Sequence, residues 1–325
     1  MSKIKKRVLS GIQPSGKLHL GNYFGMMSRM INYQDENDLF CFIVNYHALT
    51  TITNNAELEK TTHNAALDFL ALGMDPEKST VSVQSDVPQV TELTWLLSNM
   101  AGVGLMERST SYKDKIDKGL SPHMGLFSYP ILMAADILLY GSEIVPVGKD
   151  QKQHLEMTRD IALRFNHLYG EDVLVVPEPL IGEEVATIPG LDGQKMSKSY
   201  NNVIPLFAPA KQVRRSIMRI QTDSLGVEDS KDPDQCNIFQ LYRHFTTAEE
   251  QATLAERYRA GGMGYGEAKQ QLFEAVDREL GEAREAYFEL REQPETLEGI
   301  LEKGRDKARR VALEVRKRVR SSIGL

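Results

Sequence analysis

A run of apolar residues at positions 40–46 limits the folds that this chain can adopt. The run reads Phe-Cys-Phe-Ile-Val-Asn-Tyr and lacks regular alternation of polar and apolar residues, which is typical of a strand buried on both faces of a parallel sheet. Strand-like segments at 8–12 and 80–84 flank it, and helix-like segments at 21–33 and 56–72 lie between the three. This order predicts a doubly wound parallel sheet with right-handed crossovers, which binds ligands at the carboxyl ends of its strands.

The remainder of the chain is predicted to be mostly helical. The pattern at 88–140 indicates a helical insertion with a Gly- and Lys-rich break at 109–123. We therefore expect an α/β protein with a Rossmann-like domain at 1–205, which includes that insertion, and an all-helical C-terminal domain at 206–325. The final amphipathic helix, at roughly 302–320, is expected to pack back on the first domain.

Two further segments belong to the first predicted domain. An amphipathic helix is predicted at 150–169, with Leu155, Ile161 and Phe165 on its inward face. The apolar residues at 173–176 are predicted to form another strand.

The composition is that of a soluble globular protein. Charged residues make up 26% of the chain and the net charge is −6, which argues against a disordered chain and against a general nucleic-acid coat. Two cysteines, Cys41 and Cys236, are too few for a disulfide framework or a cysteine-rich metal cluster. No apolar run reaches the ~20 residues of a membrane span, and no signal peptide is recognised, so we expect a cytoplasmic protein without a membrane segment.

The most informative motif is Lys195-Met196-Ser197-Lys198-Ser199. Glycines at 190 and 193 precede it and two asparagines follow it, so the segment is predicted to be a mobile loop. Its two ammonium groups suit a polyphosphate, because each lysine supplies a point charge for phosphate oxygens. A solvated basic loop is the alternative, but a given five-residue string occurs by chance in only about one in ten thousand chains of this length.

A second motif follows the first predicted strand and contains Gln13-Pro14-Ser15-Gly16 and His19-Leu20-Gly21-Asn22. A strand, a glycine-containing loop and a helix N-terminus form a natural phosphate cradle, since backbone N–H groups point at the anion. The side chains of His19 and Asn22 add donors there. A lone histidine would more often be a surface or packing residue, but its position beside Gly21 and the presence of the lysine motif favour a functional role.

Together the two motifs resemble the signature pair of the class I aminoacyl-tRNA synthetases, in which H-I-G-H or a variant precedes K-M-S-K-S. Asparagine at the fourth position of the first motif is similar to the tryptophanyl branch, and the segments at 129–140 and 145–154 resemble that branch more closely still. The resemblance covers nearly the whole chain but is weak beyond residue 200. It implies a homodimeric ligase that activates L-tryptophan with ATP and Mg²⁺ and transfers it to tRNA(Trp), with the helical domain binding the tRNA anticodon.

The resemblance also implies roles for individual residues. Charge stabilisation in catalysis would fall to His19, Asn22, Lys115, Lys195 and Lys198. ATP would contact Gln13, Pro14, Ser15, Gly21, Asn22, Gly148, Lys149, Asp150, Val185, Lys195, Met196, Ser197, Lys198 and Ser199. Tryptophan would contact Leu9, His47, Tyr129, Met133, Asp136, Val145, Val147 and Gln151. No protein-bound metal is expected.

Some of these assignments have alternatives or depart from the family pattern. Lys115 matches the family position better than Lys113, and a solvated loop is the alternative for both. Core packing is the alternative for Val185. The family usually has Glu where this chain has Lys149, and often Phe where it has Leu9, so the fit around the indole ring is less closely defined.

Asp136 is unusual because it is an acid in the middle of an apolar helical segment. Burial of a carboxylate is costly unless it is paired or hydrogen-bonded. A structural cap or ion pair is one explanation. The other is that Asp136 accepts the indole N–H of tryptophan, whose ring nitrogen is only a donor.

Other functions remain open at this stage. They are a tyrosyl relative of similar architecture, a nucleotidylyltransferase acting on a small metabolite, and a non-catalytic regulator that binds tryptophan or tRNA. Residues 301–325 carry nine basic and three acidic side chains, which fits either a solvated helix face or contact with tRNA phosphates. Some relatives carry an iron–sulfur cluster near the position of Cys236, but such a cluster needs about four thiolates, so none is expected.

Overall fold

Five parallel strands form one sheet in the part of the chain that the structure describes. This computed structural model describes residues 5–14, 16–117, 119, 121–181 and 188–325, without the side chains at 111, 115, 150 and 181. The strands are β1 (Arg7–Ile12), β2 (Asp38–Ile43), β3 (Ser79–Val83), β4 (Ile144–Val147) and β5 (Glu178–Ile181). Their order is β3-β2-β1-β4-β5, which confirms the predicted Rossmann-like sheet. The chain adds β2 and β3 on one side of β1, and then adds β4 and β5 on its other side. The strand order therefore switches between β1 and β4, where such sheets open a ligand crevice.

Helices make up most of the remaining described structure, and after β5 the regular elements are helical, as predicted. None of them is long and apolar enough to cross a membrane. They are α1 (Leu20–Asn22), α2 (Ser28–Glu36), α3 (Asn45–Ala48), α4 (Asn55–Ala71), α5 (Gln89–Ser98), α6 (Val103–Glu107), α7 (Thr110–Asp117), α8 (Met124–Leu139), α9 (Lys152–Tyr169), α10 (Ala210–Met218), α11 (Asn237–Tyr242), α12 (Ala248–Ala260), α13 (Tyr265–Arg291) and α14 (Pro294–Ile323).

Alternate residues of β2 enter two separate hydrophobic cores. Phe40 and Phe42 pack with residues of α5, α8 and α9, whereas Leu39, Cys41 and Ile43 pack with residues of α2 and α4. Because successive strand residues point to opposite faces, this division shows that helices cover the sheet on both sides. Burial on both faces explains why the sequence of this strand is apolar throughout.

The strand predicted at 40–46 ends earlier, at Ile43. Asn45 leaves the ladder because its side chain exchanges hydrogen bonds with Ser85, just past the end of β3. Its Nδ2 group donates to Ser85 Oγ at 2.8 Å, and the Ser85 N–H group donates to Asn45 Oδ1 at 3.1 Å. This contact starts α3 at the carboxyl end of the sheet and so brings His47 to the ligand side.

The prediction of a strand at 173–176 is wrong, because the paired strand in this region is β5, which begins at Glu178. Val173 and Leu174 are buried, which accounts for their apolar character. The side chain of Asn166 accepts from the Leu174 N–H group and donates to the Leu174 carbonyl, both at 2.8 Å. Those backbone groups are therefore unavailable for a sheet ladder.

The break predicted at 109–123 is wrong in part, because it contains the helix α7. Thr110, the first residue of α7, donates its N–H and its hydroxyl to Gln153 Oε1, both at 2.8 Å. This cap comes from α9, more than 40 positions away, so no local pattern reveals it. Lys113 and the backbone of Lys115 are consequently helical.

The helix α14 packs against the edge strand β3, and it is longer than the predicted segment at 302–320. Its buried residues include Ala308, Ala312, Val315 and Val319. The closest approach is at Gly304, where an added Cβ atom would lie 1.7 Å from the Val81 carbonyl oxygen. Glycine is required there because two backbones meet directly.

Several basic side chains of α14 contact the sheet domain. Arg309 donates to the Asp86 carbonyl at 2.5 Å, and Arg318 donates to the Val173 carbonyl at 2.7 Å. Arg316 and Arg320 both pair with Glu92 of α5. These contacts explain part of the positive charge in this helix by packing within the chain, which leaves fewer cations for a nucleic acid.

Candidate active site

The first signature motif lies where β1 ends, as the topology requires for a ligand site. His19 immediately precedes α1, and its N–H group donates to Asn22 Oδ1 at 3.0 Å. The Asn22 amide oxygen is thus occupied within the motif, and its Nδ2 group is the donor left for a ligand. A π-helical turn at Tyr23–Met27 follows, and such turns are frequent at functional sites.

His19 is neutral in this setting. It is 8% exposed, and its Nδ1 atom has no hydrogen-bond partner among the described residues. Burial, with a further contribution from the Lys198 ammonium, lowers the pKa of His19 to about 4. At neutral pH the ring therefore acts as a hydrogen-bonding group and carries no charge of its own.

The two signature motifs are in contact. A Cβ atom added to Gly21 would lie 3.0 Å from the His19 ring and 3.5 Å from the Met196 Cβ atom. Met196 is buried, in a core with Leu20 and Ile204. The Leu20 N–H group also donates to the Ile204 carbonyl at 3.1 Å, so the segment after the lysine loop pairs with the first motif.

The side chain of Asn202 fastens the lysine loop. Its Oδ1 atom accepts from the Ser197 N–H group at 2.8 Å, and its Nδ2 group donates to the Lys195 carbonyl at 3.1 Å and to Asp192 at 2.7 Å. Asn202 is buried, and Gly190 packs so closely on it that an added Cβ would lie 2.4 Å away. The loop backbone is thereby set, while the lysine side chains extend from it.

The two lysines of the loop differ in their surroundings. Lys195 is exposed. The Lys198 ammonium lies 3.8 Å from the point where a Cβ atom of Gly16 would stand, which places it over the turn of the first motif. Partial burial lowers the pKa of Lys198, against the opposing effect of the Asp68 carboxylate.

The acid predicted to read the indole ring is a buried, hydrogen-bonded carboxylate. Asp136 is 3% exposed. His47 Nε2 lies 2.8 Å from its Oδ2 atom, and Gln84 Nε2 lies 2.9 and 2.8 Å from its two oxygens. Burial raises the pKa of Asp136, and the bonds to His47 and Gln84 oppose that rise. Since a carboxylate offers about four lone-pair sites, the three bonds leave capacity for one more donor.

The predicted tryptophan residues on α8 share one helix face. Tyr129, Met133 and Asp136 are spaced four and three residues apart, which is the spacing of neighbours on a helix surface. The Tyr129 ring meets the His47 ring edge to face with centroids 4.6 Å apart, and it meets the His154 ring at 5.3 Å. The three rings link the buried acid to the start of α9.

Gln151 belongs to the same cluster. The Nδ1 atom of buried His154 lies 2.9 Å from Gln151 Oε1, and its Nε2 atom lies 3.4 Å from Ser109 Oγ. Leu9 of β1 and Val145 of β4 are buried in the adjoining core, and Val147 packs against it. The structure therefore brings Asp136, His47, Tyr129 and Gln151 together at the carboxyl end of the sheet, beside their apolar neighbours.

The remaining predicted ATP residues lie around the two motifs. Gln13 lines a cavity of about 240 Å³, together with Gly21 and Asn22. Gly148 and Lys149 begin the turn after β4, and the Ser199 N–H group donates to Ser197 Oγ at 3.3 Å. The predictions for Ser15 and Val185, and those for the side chains of Lys115 and Asp150, lie outside the described residues.

The sequence reasoning did not identify three of the residues that shape this site, namely Gln84, His154 and Asn202. Each acts by a hydrogen bond to a residue that was identified. Gln84 and Asn202 do have a local signal, because each is a polar amide: Gln84 ends the predicted strand at 80–84, and Asn202 comes three residues after the lysine motif. Groups of three or more His, Cys, Asp or Glu that could bind a metal do not occur among the described residues.

Comparison with known proteins agrees with this geometry. A family model described as tRNA synthetases class I (W and Y) matches residues 1–281. The tryptophan–tRNA ligase of Fusobacterium nucleatum is 52% identical over 320 residues, which cover 98% of each chain. The crystal structure of tryptophanyl-tRNA synthetase from Campylobacter jejuni with ADP and tryptophan is 50% identical, covers 98% of this chain and 100% of that one, and superposes with a TM-score of 0.93. The chain belongs to the class I tRNA synthetases of the tryptophan and tyrosine group, within their bacterial tryptophanyl branch.

Proposed function

We propose that this chain is a tryptophan–tRNA ligase, which activates L-tryptophan with ATP and transfers it to tRNA(Trp). The observation that carries the proposal is the buried carboxylate of Asp136, which His47 and Gln84 hold in a chain whose two signature motifs contact each other. The names of the bacterial relatives at about half identity support the same assignment.

The first step is adenylate formation. An oxygen of the tryptophan carboxylate attacks the α-phosphorus of ATP in line, the bond from that phosphorus to the bridging oxygen breaks, and pyrophosphate leaves. Negative charge grows on the leaving group, so the protein acts by positioning and by cationic stabilisation. We assign the cationic stabilisation to Lys195, Lys198 and Lys115, and hydrogen bonds to the same charge to the neutral side chains of His19 and Asn22.

The second step transfers the amino acid. A ribose hydroxyl at the end of the tRNA attacks the carbonyl carbon of the adenylate, and AMP leaves with the bonding electron pair. We assign tRNA and anticodon binding to the helical region at 206–325. The basic residues of α14 that have no contact with the sheet domain are candidates for phosphate contacts, because such contacts supply most sequence-independent affinity.

Tryptophan recognition follows from the Asp136 cluster. The indole N–H would donate to the remaining lone pair of the carboxylate, while Tyr129 and Gln151 hold the α-amino and carboxylate groups. Met133, Val145, Val147 and Leu9 would wall the ring, with His47 beside it. Phenylalanine lacks the donor, and tyrosine carries its hydroxyl on a shorter ring, so both should leave the buried acceptor unpaired.

For ATP we assign the ribose hydroxyls to Asp150 and the adenine to Val185 and Ile188, with Met196 of the lysine loop alongside. The backbone of the first motif and Gly148 would complete the nucleotide site, with Gln13, Pro14, Ser15, Lys149, Ser197 and Ser199 alongside. Mg²⁺ would be bound through the nucleotide phosphates, since the described groups around the cradle are cationic or amide donors with few carboxylates. When bound it shares the charge of the polyphosphate.

We also propose a homodimer and a cytoplasmic location. Three large apolar side chains in the predicted insertion, Trp95, Val103 and Met124, are 71%, 64% and 73% exposed. Exposed apolar side chains mark an interaction surface when they form one patch, and we assign these three to the dimer contact. Sedimentation equilibrium should give about twice the 36.6 kDa chain mass; a monomer that is active in aminoacylation would contradict the dimer.

The experiment that tests the activity is ATP–pyrophosphate exchange with each of the twenty amino acids. Exchange with tryptophan alone supports the proposal. Exchange with tyrosine would assign the chain to the tyrosyl side of the family. Exchange that depends on a small metabolite and on none of the amino acids would indicate a nucleotidylyltransferase, and absence of exchange despite tryptophan binding would indicate a regulator.

A further inference from the structure

The first turn of α9 contains a fully buried histidine, His154, whose exposed fraction is 0%. Its Nδ1 atom lies 2.9 Å from the Oε1 atom of Gln151, three residues earlier, and its Nε2 atom lies 3.4 Å from Ser109 Oγ. The Tyr129 ring meets the imidazole edge to face, with the centroids 5.3 Å apart. Contacts with three different segments of the chain therefore fix the position of this ring.

The bond to Gln151 decides which nitrogen of the His154 ring carries the hydrogen. An amide oxygen only accepts hydrogen bonds, so the Nδ1 atom must be the donor. In the neutral imidazole the other nitrogen, Nε2, is then an acceptor, and the Ser109 hydroxyl is placed to donate to it. One nitrogen thus serves the proposed amino-acid site, and the other serves the segment that precedes α7.

The segment in front of α7 has further anchors in the same turn of α9. Gln153 Oε1 accepts from the N–H group and the hydroxyl of Thr110, both at 2.8 Å, and Gln153 Nε2 donates to the Arg108 carbonyl at 3.3 Å. The attachment of α7 is therefore shared among several bonds. The bond of His154 that should matter most for the substrate is the one to Gln151.

We propose that His154 is a positioning residue for the amino-acid substrate: its Nδ1–H group holds the Gln151 amide in the orientation that receives the α-amino and carboxylate end of tryptophan. This inference rests on the proposed function, which assigns Gln151 to that end of the substrate. A side chain that is fixed beforehand binds more tightly, because its rotamer freedom is lost before the ligand arrives. A loosely held Gln151 should weaken tryptophan binding and misplace the attacking carboxylate oxygen.

Two substitutions of His154 separate the effects of its two nitrogens. The short amide of Asn places an N–H donor where Nδ1 stands, whereas the longer Gln places its polar atoms near the position of Nε2. Both variants lose the ring that packs against Tyr129, so that loss is common to the pair. His154→Asn should therefore keep the bond to Gln151, and His154→Gln should lose it.

The test measures the Kd for tryptophan in both variants and in the wild-type enzyme. The Kd of His154→Gln should exceed that of His154→Asn by about three- to tenfold, the usual effect of one hydrogen bond. The KM for tryptophan should follow the same order, and the KM for ATP should change less. Indole is the control ligand, because it keeps the ring N–H but lacks the α-amino and carboxylate groups. Its Kd should be about the same in the two variants.

Three results of this comparison would overturn the inference. They are equal tryptophan affinity in the two variants, weaker binding by His154→Asn, and a parallel difference for indole. The second result would mean that the imidazole acts by tying α7 to α9, and the third would mean that the indole slot itself is damaged.

The wild-type enzyme offers a test that needs no substitution. NMR of nitrogen-labelled protein shows which ring nitrogen of each histidine carries the hydrogen. Hydrogen on the Nδ1 atom of His154 is expected, and hydrogen on Nε2 alone would overturn the inference. A wild-type protein that binds no tryptophan would contradict the proposed function itself, so the two failures are distinguishable.

Discussion

The Nε2 atom of His47 lies 2.8 Å from the Oδ2 atom of Asp136, with both side chains buried. His47 belongs to the short helix α3 just past β2, and Asp136 belongs to the middle of α8, so the bond joins two walls of the proposed amino-acid site. Gln84 holds the same carboxylate from the end of β3. The acceptor is therefore fixed in place before a ligand arrives, which is the condition for preorganised recognition.

Replacement of Asp136 should destroy the preference for tryptophan. Asp136→Ala should lower kcat/KM for tryptophan by about 10³-fold or more, since discrimination by such a bond can reach about 10⁴–10⁵. Asp136→Asn keeps one carbonyl acceptor and should lose less. The measurement is pyrophosphate exchange with tryptophan, phenylalanine and tyrosine. If the alanine variant kept wild-type selectivity, the carboxylate would be structural and the indole would be read elsewhere.

Loss of Lys195 should act on the chemical step. Lys195→Ala should slow adenylate formation by roughly 10²–10³-fold, the usual loss for one charge-stabilising donor. Tryptophan binding should change little, because the lysine is assigned to the pyrophosphate. Rapid-quench measurement of adenylate formation at saturating substrates checks the rate, and an unchanged rate would remove Lys195 from the mechanism.

The neutral His19 predicts a loss of stability in acid. Its pKa is about 4 in the folded protein against 6.5 for an ordinary histidine, so the unfolded chain binds more protons between these values. The free energy of unfolding should decrease as the pH drops through that window. In His19→Gln this decrease should be smaller by on the order of 1 kcal/mol. Urea unfolding at pH 7 and pH 4.5 provides the measurement. His167→Gln, at an exposed position in α9, is the control.

The contact at Gly304 can be tested with a matched pair of substitutions in α14. Gly304→Ala places a methyl group against the Val81 backbone. It should lower the free energy of unfolding by about 1–3 kcal/mol or more, because overpacking strains the contact. Gly299→Ala has open space around it and should instead stabilise the helix by about 0.5–1 kcal/mol. Thermal unfolding measures the melting temperatures of both variants, and Gly304→Ala should have the lower one. Equal melting temperatures would show that α14 does not press on β3.

The first three strands were predictable because β1 and β2 are largely apolar, β3 is built of Val, Ser and Thr, and helical segments separate them. A buried parallel strand needs no partner information to be recognised, so β1, β2 and β3 were placed to within a few residues. The failures occurred where a distant side chain determines the backbone. Asn166 holds Leu174 out of the ladder, and Gln153 starts α7, and neither effect leaves a local pattern.

The residues of the candidate site likewise fall into those that the sequence identifies and those that only the fold reveals. The signature motifs and Asp136 were identified because each is chemically conspicuous within its own segment. His154 and Asp68 were not, because each depends on a neighbour that only the fold supplies. Asp68 in particular sits in a helical stretch whose pattern gives no indication that its face borders the first motif.

The packing of α14 also bears on how this protein forms. Arg309 reaches the Asp86 carbonyl across 223 positions of the chain, and its helix covers the outer side of β3. Until residues 294–323 have been synthesised, the nascent sheet presents an uncovered edge strand, which is a template for pairing with other chains. All five strands precede residue 182, but the helix that covers the edge strand β3 is encoded more than 200 codons downstream of it.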